Sequence, residues 1–194
     1  MLNNDLLIVV DMQNAYLNGR PWACNNMNSC TSKIVQLLES SACPNVVFTK
    51  HMKNGSPIGT WTEYNLAYYH INEDNKNAML IDAIVPYTLH HPVFEKTTYS
   101  AFSCDALREM AKRADRVVLC GVVGECCILS TMMSGIDLGI RIVYLKDAIA
   151  SSTPEFSSSI EKIAESFSPV HTTVMTVEEY IGDADFPNMI FSTD

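Results

Sequence analysis

Basic residues are scarce in this 194-residue chain: 13 Lys and Arg stand against 22 Asp and Glu, for a net charge of −9. No Lys/Arg cluster relieves that balance locally, so no nucleic-acid partner is expected. No apolar run reaches the ~18 residues that a spanning helix needs, so no membrane partner is expected either. The opening MLNNDLLIVV has no basic region and no small-residue cleavage site, and it does not read as a signal peptide. No Cys-x-x-Cys pair or Cys/His spacing suggests structural zinc. No Gly-x-Gly-x-x-Gly follows the first apolar run, so the phosphate-cradling loop of dinucleotide-binding proteins is missing. Internal repeats and low-complexity segments are missing as well. What is present is a globular balance, 47% hydrophobic and 18% charged, long enough to bury a core as one domain over 1–194. Seven cysteines, odd in number and irregular in spacing, fit free thiols in a reducing cytoplasm.

Apolar runs alternate with helical patterns. Leu6 to Val10 reads as a strand buried on both faces. Thr31 to Leu38 reads as a helix with Ile34, Leu37 and Leu38 on one face, and Val46 to Phe48 as a second strand. The stretch 50–90 loses periodicity and reads as loop-rich, the usual place for a lid or a partner surface. Val93-Phe94 is a short strand running into Glu95 and Lys96. Ser103 is placed to cap the helix SCDALREMAKRA, which has Asp105 in its first turn and basic residues in its last. Arg116 to Cys120 is a strand, and Cys126 to about Leu138 a helix ended by Gly139, apolar nearly all round and expected to be deeply packed. Ile142 to Leu145 is a strand, Thr153 and Pro154 open another helix, and Thr172 to Met175 is a weak last strand. This alternation predicts an α/β domain with a mostly parallel sheet covered on both faces.

Ligands in such sheets bind beyond the carboxyl ends of the strands. Asp11, Thr49 to His51, Lys96, the turn Gly121 to Cys127, and Asp147 are expected there. Three of these residues suit nucleophilic catalysis. A thiol at a helix N-terminus, Cys126 or Cys127, is favoured as thiolate by the unpaired N–H groups and by a nearby ammonium such as Lys96. A carboxylate such as Asp11 takes the thiol proton and returns it to a leaving group. Taken singly, each residue also has an ordinary role: a turn aspartate, a solvated lysine, core cysteines.

The same residues carry a resemblance. LLIVVDMQNAYL resembles the opening strand of the isochorismatase-like cysteine hydrolases, closed by Asp-x-Gln. FEKTTYSAF resembles their lysine segment, and LCGVVGECCILST their nucleophile turn, with the three motifs in family order from about Leu6 to Ile181. The resemblance implies a three-layer α/β/α, doubly wound, Rossmann-like fold. It implies hydrolysis of a C–N bond in a small molecule through a thioester, with no cofactor. Cys127 falls on the nucleophile position, Glu125 on an acidic position and Cys126 on a variable one. Asp11 becomes the general acid/base and Lys96 the residue that tunes both charges. A cis peptide between Val122 and Val123 is implied, aiming the N–H groups of Val123 and Cys127 at an oxyanion. A homo-oligomer, dimer or tetramer, is implied too.

Two departures stand out. Gly124 replaces the usual threonine. Where nicotinamidases of the family place an Asp-x-His metal pair, this chain has His51-Met52-Lys53, so no metal is expected. The substrate pocket is expected to draw on Gln13, Tyr16, His51, Trp61, Tyr64 and Tyr99. The rival readings are an isochorismatase-like enol-ether hydrolase that does not use the thiol, and a non-catalytic α/β small-molecule-binding domain.

Overall fold

A computed structural model describes residues 4–183. The expected domain of 1–194 therefore has its extreme ends outside the described residues. Six strands form one sheet in the order β3-β2-β1-β4-β5-β6: β1 Leu6–Val10, β2 Asn45–His51, β3 Val93–Lys96, β4 Val117–Gly121, β5 Ile142–Ile149 and β6 Thr172–Met175. Every pairing is parallel, so the sheet is wholly parallel where a mostly parallel one was expected. All five residues of β1 are buried, because a central parallel strand has helices on both sides. Its alternate residues serve two cores, Leu7 and Val9 on one face, and Leu6, Ile8 and Val10 on the other.

The first core is closed by α1 (Met27–Ser40) and α8 (Val177–Asp183), through residues such as Met27, Cys30, Ile34, Leu37 and Tyr180. The second is closed by α5 (Asp105–Ala111), α6 (Leu129–Asp137) and α7 (Pro154–Ser166), through Leu107, Met132, Ile160 and Ala164. The helix expected over Thr31 to Leu38 is longer at both ends. The 50–90 stretch is less irregular than its composition suggests, holding the short helices α2 (Thr60–Ala67), α3 (Tyr69–Asn72) and α4 (Asn75–Ala78). Ser103 caps nothing: α5 starts after Cys104 without a side-chain cap, and Ser100 instead accepts a hydrogen bond from Phe102 N at 3.2 Å. Thr153 does cap α7, accepting from Phe156 N at 3.3 Å. The expected helix from Cys126 begins as a π-type turn, Gly124–Ile128, before α6. It is half-covered, not deeply packed. Thr131, Met132 and Gly135 face the core, but Leu138 is exposed. Among the described residues no helix is long and apolar enough to cross a membrane.

At the amino ends of the strands Asp5 is fully buried. It takes hydrogen bonds from Arg116 at 2.8–3.2 Å and from the Tyr180 hydroxyl at 2.9 Å. The carboxyl ends carry the residues expected to do chemistry. There the sheet reverses its winding between β1 and β4, which opens a crevice.

Candidate functional site

Asp11, Lys96 and Cys127 come from three strand ends that are not all neighbours. Asp11 follows β1 directly, and the Cys127 turn follows the adjacent β4. Lys96 closes β3, two strands from β1 and so about 10 Å away in the sheet. A long side chain is needed to cross that gap, and lysine crosses it. Lys96 Nζ lies 2.7 Å from Asp11 Oδ2, and donates to Cys127 Sγ at 3.3 Å and to the Thr98 carbonyl at 3.1 Å. Asp11 is 0% exposed, Lys96 3% and Cys127 3%. The other oxygen of Asp11 accepts from Thr49 Oγ1 at 2.7 Å. Asp11 itself has φ 50°, a left-handed conformation uncommon for a residue other than glycine. Its amide donates to Thr49, both to the carbonyl and to Oγ1, at 3.2 Å. The end of β2 thus fixes both backbone and carboxylate.

Burial opposes the charge on Lys96, but Asp11 and then Cys127 outweigh it, and the net shift is upward, so the ammonium persists. The Cys127 thiol is pushed up, first by burial and next by the Asp11 charge, with Lys96 pulling the other way. The helix-start position that favours a thiolate is thus opposed here by loss of water and by the Asp11 charge.

The turn is shaped by two glycines. Gly121 has φ 110°, and a Cβ there would lie 2.1 Å from the Val10 carbonyl oxygen, so only glycine lets β4 leave the sheet against β1. The Val122–Val123 peptide that follows is cis. Gly124 donates to the Ala150 carbonyl at 2.9 Å, and Val123 O accepts from both Cys126 N and Ile128 N at 3.1 Å. A Cβ on Gly124 would meet Ser151 Oγ at 2.2 Å. The space that a side chain at position 124 would need is held by Ser151, from the loop after β5. Thr131 locks the far end, donating to the Cys127 carbonyl at 2.7 Å and accepting from Ala101 N at 2.9 Å.

Cys127 opens on a cavity of about 310 Å³. Tyr16, Tyr64 and Tyr99 line it as expected, joined by Trp22 and Tyr68. Tyr16 stacks on Trp22 at 5.9 Å, and the others meet at tilted or edge-on angles, with Tyr64 to Tyr68 at 4.8 Å and Trp22 to Tyr68 at 5.7 Å between centroids. His51 lines it too, stacked on Tyr99 at 6.4 Å, with burial first and Lys96 second lowering its pKa, so the imidazole is neutral. Val123, Glu125, Cys126 and Ser152 line it as well. Cys126 is half-buried, and its pKa is raised, by burial first and by Glu125 second.

Two expected pocket residues lie elsewhere. Trp61 stands behind the wall, packed edge-on against Tyr64 and Tyr99 at 5.0 Å. Gln13 is a brace. Its side-chain amide donates to the carbonyls of His51 at 3.1 Å and Ala78 at 3.0 Å, and accepts from His51 N at 2.8 Å. Asp147 is not at the rim, because β5 runs two residues past it; it accepts from Val177 N at 2.9 Å. Trp22, Tyr68, Glu125 and Ser152 were missed as pocket residues. For Trp22 a signal existed, since the loop after the first strand must lie on the rim. Residues His51-Met52-Lys53 do not form a metal site. Thr49 is committed to Asp11, Lys53 pairs with Glu73, and no group of three or more His, Cys, Asp or Glu is placed to hold a metal among the described residues.

Comparison with known proteins gives the chain a family and a fold. The isochorismatase domain model matches residues 5–178. The isochorismatase family protein YddQ of Bacillus subtilis (strain 168), itself uncharacterised, is 22% identical over 187 residues, covering 90% of this chain and 97% of that protein. A cysteine hydrolase from Pseudomonas syringae pv. phaseolicola 1448A superposes with a TM-score of 0.79 at 20% identity, over 94% of this chain and 92% of the other. A nicotinamidase/pyrazinamidase from Bacillus subtilis superposes with a TM-score of 0.70 at 19% identity, over 88% and 98%. At these identities the structures speak to the fold.

Proposed function

The chain belongs to the isochorismatase domain family, and from that premise we propose that it hydrolyses the C–N bond of a small amide through a thioester on Cys127. One observation carries the reading: a buried carboxylate, an ammonium and a thiol meet at the floor of a cavity, with Lys96 Nζ 2.7 Å from Asp11 and 3.3 Å from Cys127. Asp11 accepts the Cys127 proton. The sulfur attacks the amide carbon, and the oxyanion is received by the backbone N–H groups of Val123 and Cys127. The C–N bond breaks as Asp11 hands its proton to the leaving nitrogen. Water, deprotonated by Asp11, then attacks the thioester; the C–S bond breaks and the proton returns to sulfur. Lys96, ion-paired with Asp11 at 2.7 Å, offsets negative charge on the sulfur during attack. No step calls on a cofactor. A second copy of the chain remains the proposed partner, supported by Ile58, Leu66 and Leu89 standing 73–80% exposed in the 50–90 segment.

The test is a screen of small amides, ureas and carbamoyl compounds for ammonia release. Cys127→Ala abolishes turnover, by about 10⁴-fold or more, and Cys126→Ala retains most of it. Turnover surviving in Cys127→Ala would instead favour the thiol-independent enol-ether chemistry.

A further inference from the structure

Amide hydrolysis leaves the acyl half of the substrate unspecified, and the charge of the pocket wall narrows it. We infer that this pocket selects small amides whose acyl part carries an organic cation, and turns away amides that carry a carboxylate. The inference rests on the proposed hydrolysis for its chemistry, but its charge selection stands on the wall alone.

Three observations combine. Among the described residues no lysine or arginine lines the cavity. The nearest ammonium, Lys96, lies under the floor and is already committed to Asp11, Thr98 and Cys127. A carboxylate on the substrate would therefore lose water without gaining a cation. On the wall itself, among the described residues, stands one carboxylate, Glu125. Glu125 lines the cavity and forms no ion pair among the described residues, and its Oε1 is held by the Ser152 amide at 3.1 Å and by the Ser152 hydroxyl. Those donors fix the carboxylate without neutralising it. The rest of the lining is largely aromatic: Trp22, Tyr64, Tyr68 and Tyr99 stand at mutual angles of 35° to 85°. Aromatic rings lining a cavity are cation–π partners for an alkylammonium group. Neutral His51 adds no competing positive charge. The chain as a whole carries −9, so its long-range field draws cations in.

The experiment compares three primary amides of matched size: one with a trimethylammonium group, one with a neutral tert-butyl group, and one with a carboxylate. Ammonia release gives kcat/KM for each, and calorimetry on Cys127→Ala gives binding of each without turnover. The expected order is cation, neutral, anion, with about tenfold or more between the first and the last. Added salt and Glu125→Gln each compress that ratio, and salt does so without any change to the protein. If no amide releases ammonia, the hydrolytic reading fails, and the binding order on Cys127→Ala still decides the charge selection. Equal binding of the three, or preference for the anion, overturns the inference even where amide turnover is robust.

Discussion

Two buried carboxylates flank the same strand. Asp5 precedes β1 and Asp11 follows it, and both are 0% exposed. Each faces a cation that reaches over from another strand or its approach. Yet their environments differ in one respect. Asp5 is saturated: Arg116 binds both its oxygens, Tyr180 adds a hydroxyl at 2.9 Å, and the other side of Arg116 is held by Asp183 at 2.9 Å. Asp11 is not. Thr49 satisfies one oxygen, and the other meets Lys96 at 2.7 Å without the alignment of a directed hydrogen bond. A thiol and a cavity lie alongside. A saturated buried carboxylate is a staple. An under-satisfied one beside a reactive group and a substrate-sized space is a reagent, because accepting a proton there breaks less.

The comparison breaks first at the cations. Lys96→Met and Arg116→Met each strand a buried carboxylate and are expected to lose about 3–5 kcal/mol in urea unfolding. Their activities separate, however. Ammonia release falls about 10³-fold or more in Lys96→Met and stays within about tenfold in Arg116→Met under conditions where both are folded. Equal activity loss in the two would mean that Lys96 acts as a staple too. The next contrast is between neutral donors. Tyr180→Phe and Thr49→Val each remove one hydrogen bond to a buried carboxylate, worth about 1.5–3 kcal/mol of stability. Only Thr49→Val should lower kcat, with KM little changed, since it frees the carboxylate that moves the proton.

Raising the pH sharpens the same picture in smaller increments. Burial is the first cause that pushes up the thiols of Cys24, Cys30, Cys120 and Cys127, Cys24 from its ordinary 9.0 to about 12. A group whose folded pKa is raised stabilises the fold below its unfolded value and loses that contribution as pH climbs toward the folded one. Thermal midpoints should therefore fall from about pH 9 to about pH 12, at about 1.4 kcal/mol per pH unit for each such thiol. A flat profile over that window would show that these thiols titrate normally. Alkylation of Cys127 by iodoacetamide, by the same sign, is slower at neutral pH than for an exposed cysteine.

Much of the floor was legible in the chain. Asp11 and Lys96 end short apolar runs, and parallel sheets place such ends on one rim. That rule needs no tertiary detail. Choosing Cys127 over Cys126 came from resemblance, since adjacent residues on one turn are not separable by periodicity. The resting protonation of Cys127 was not legible, because helix position is visible in sequence and burial by distant segments is not. Asp147 was misplaced because β5 runs on through polar residues, Lys146 and Asp147, that look like a strand end. The wall was the least legible part. Trp22, Tyr68 and Ser152 reach it from loops and turns whose paths follow no period. Trp61 and Tyr64, three apart on one helix, were indistinguishable until the packing put one ring behind the other.

The central claim is that Cys127 is acylated during turnover, and mass spectrometry of the quenched reaction tests it most directly. With an amide that releases ammonia, rapid acid quench and peptide mapping should find the acyl mass on the peptide bearing Cys127, and none when Cys127→Ala is used. Steady ammonia release with no acyl adduct on any thiol, or an adduct confined to Cys126, would contradict the account.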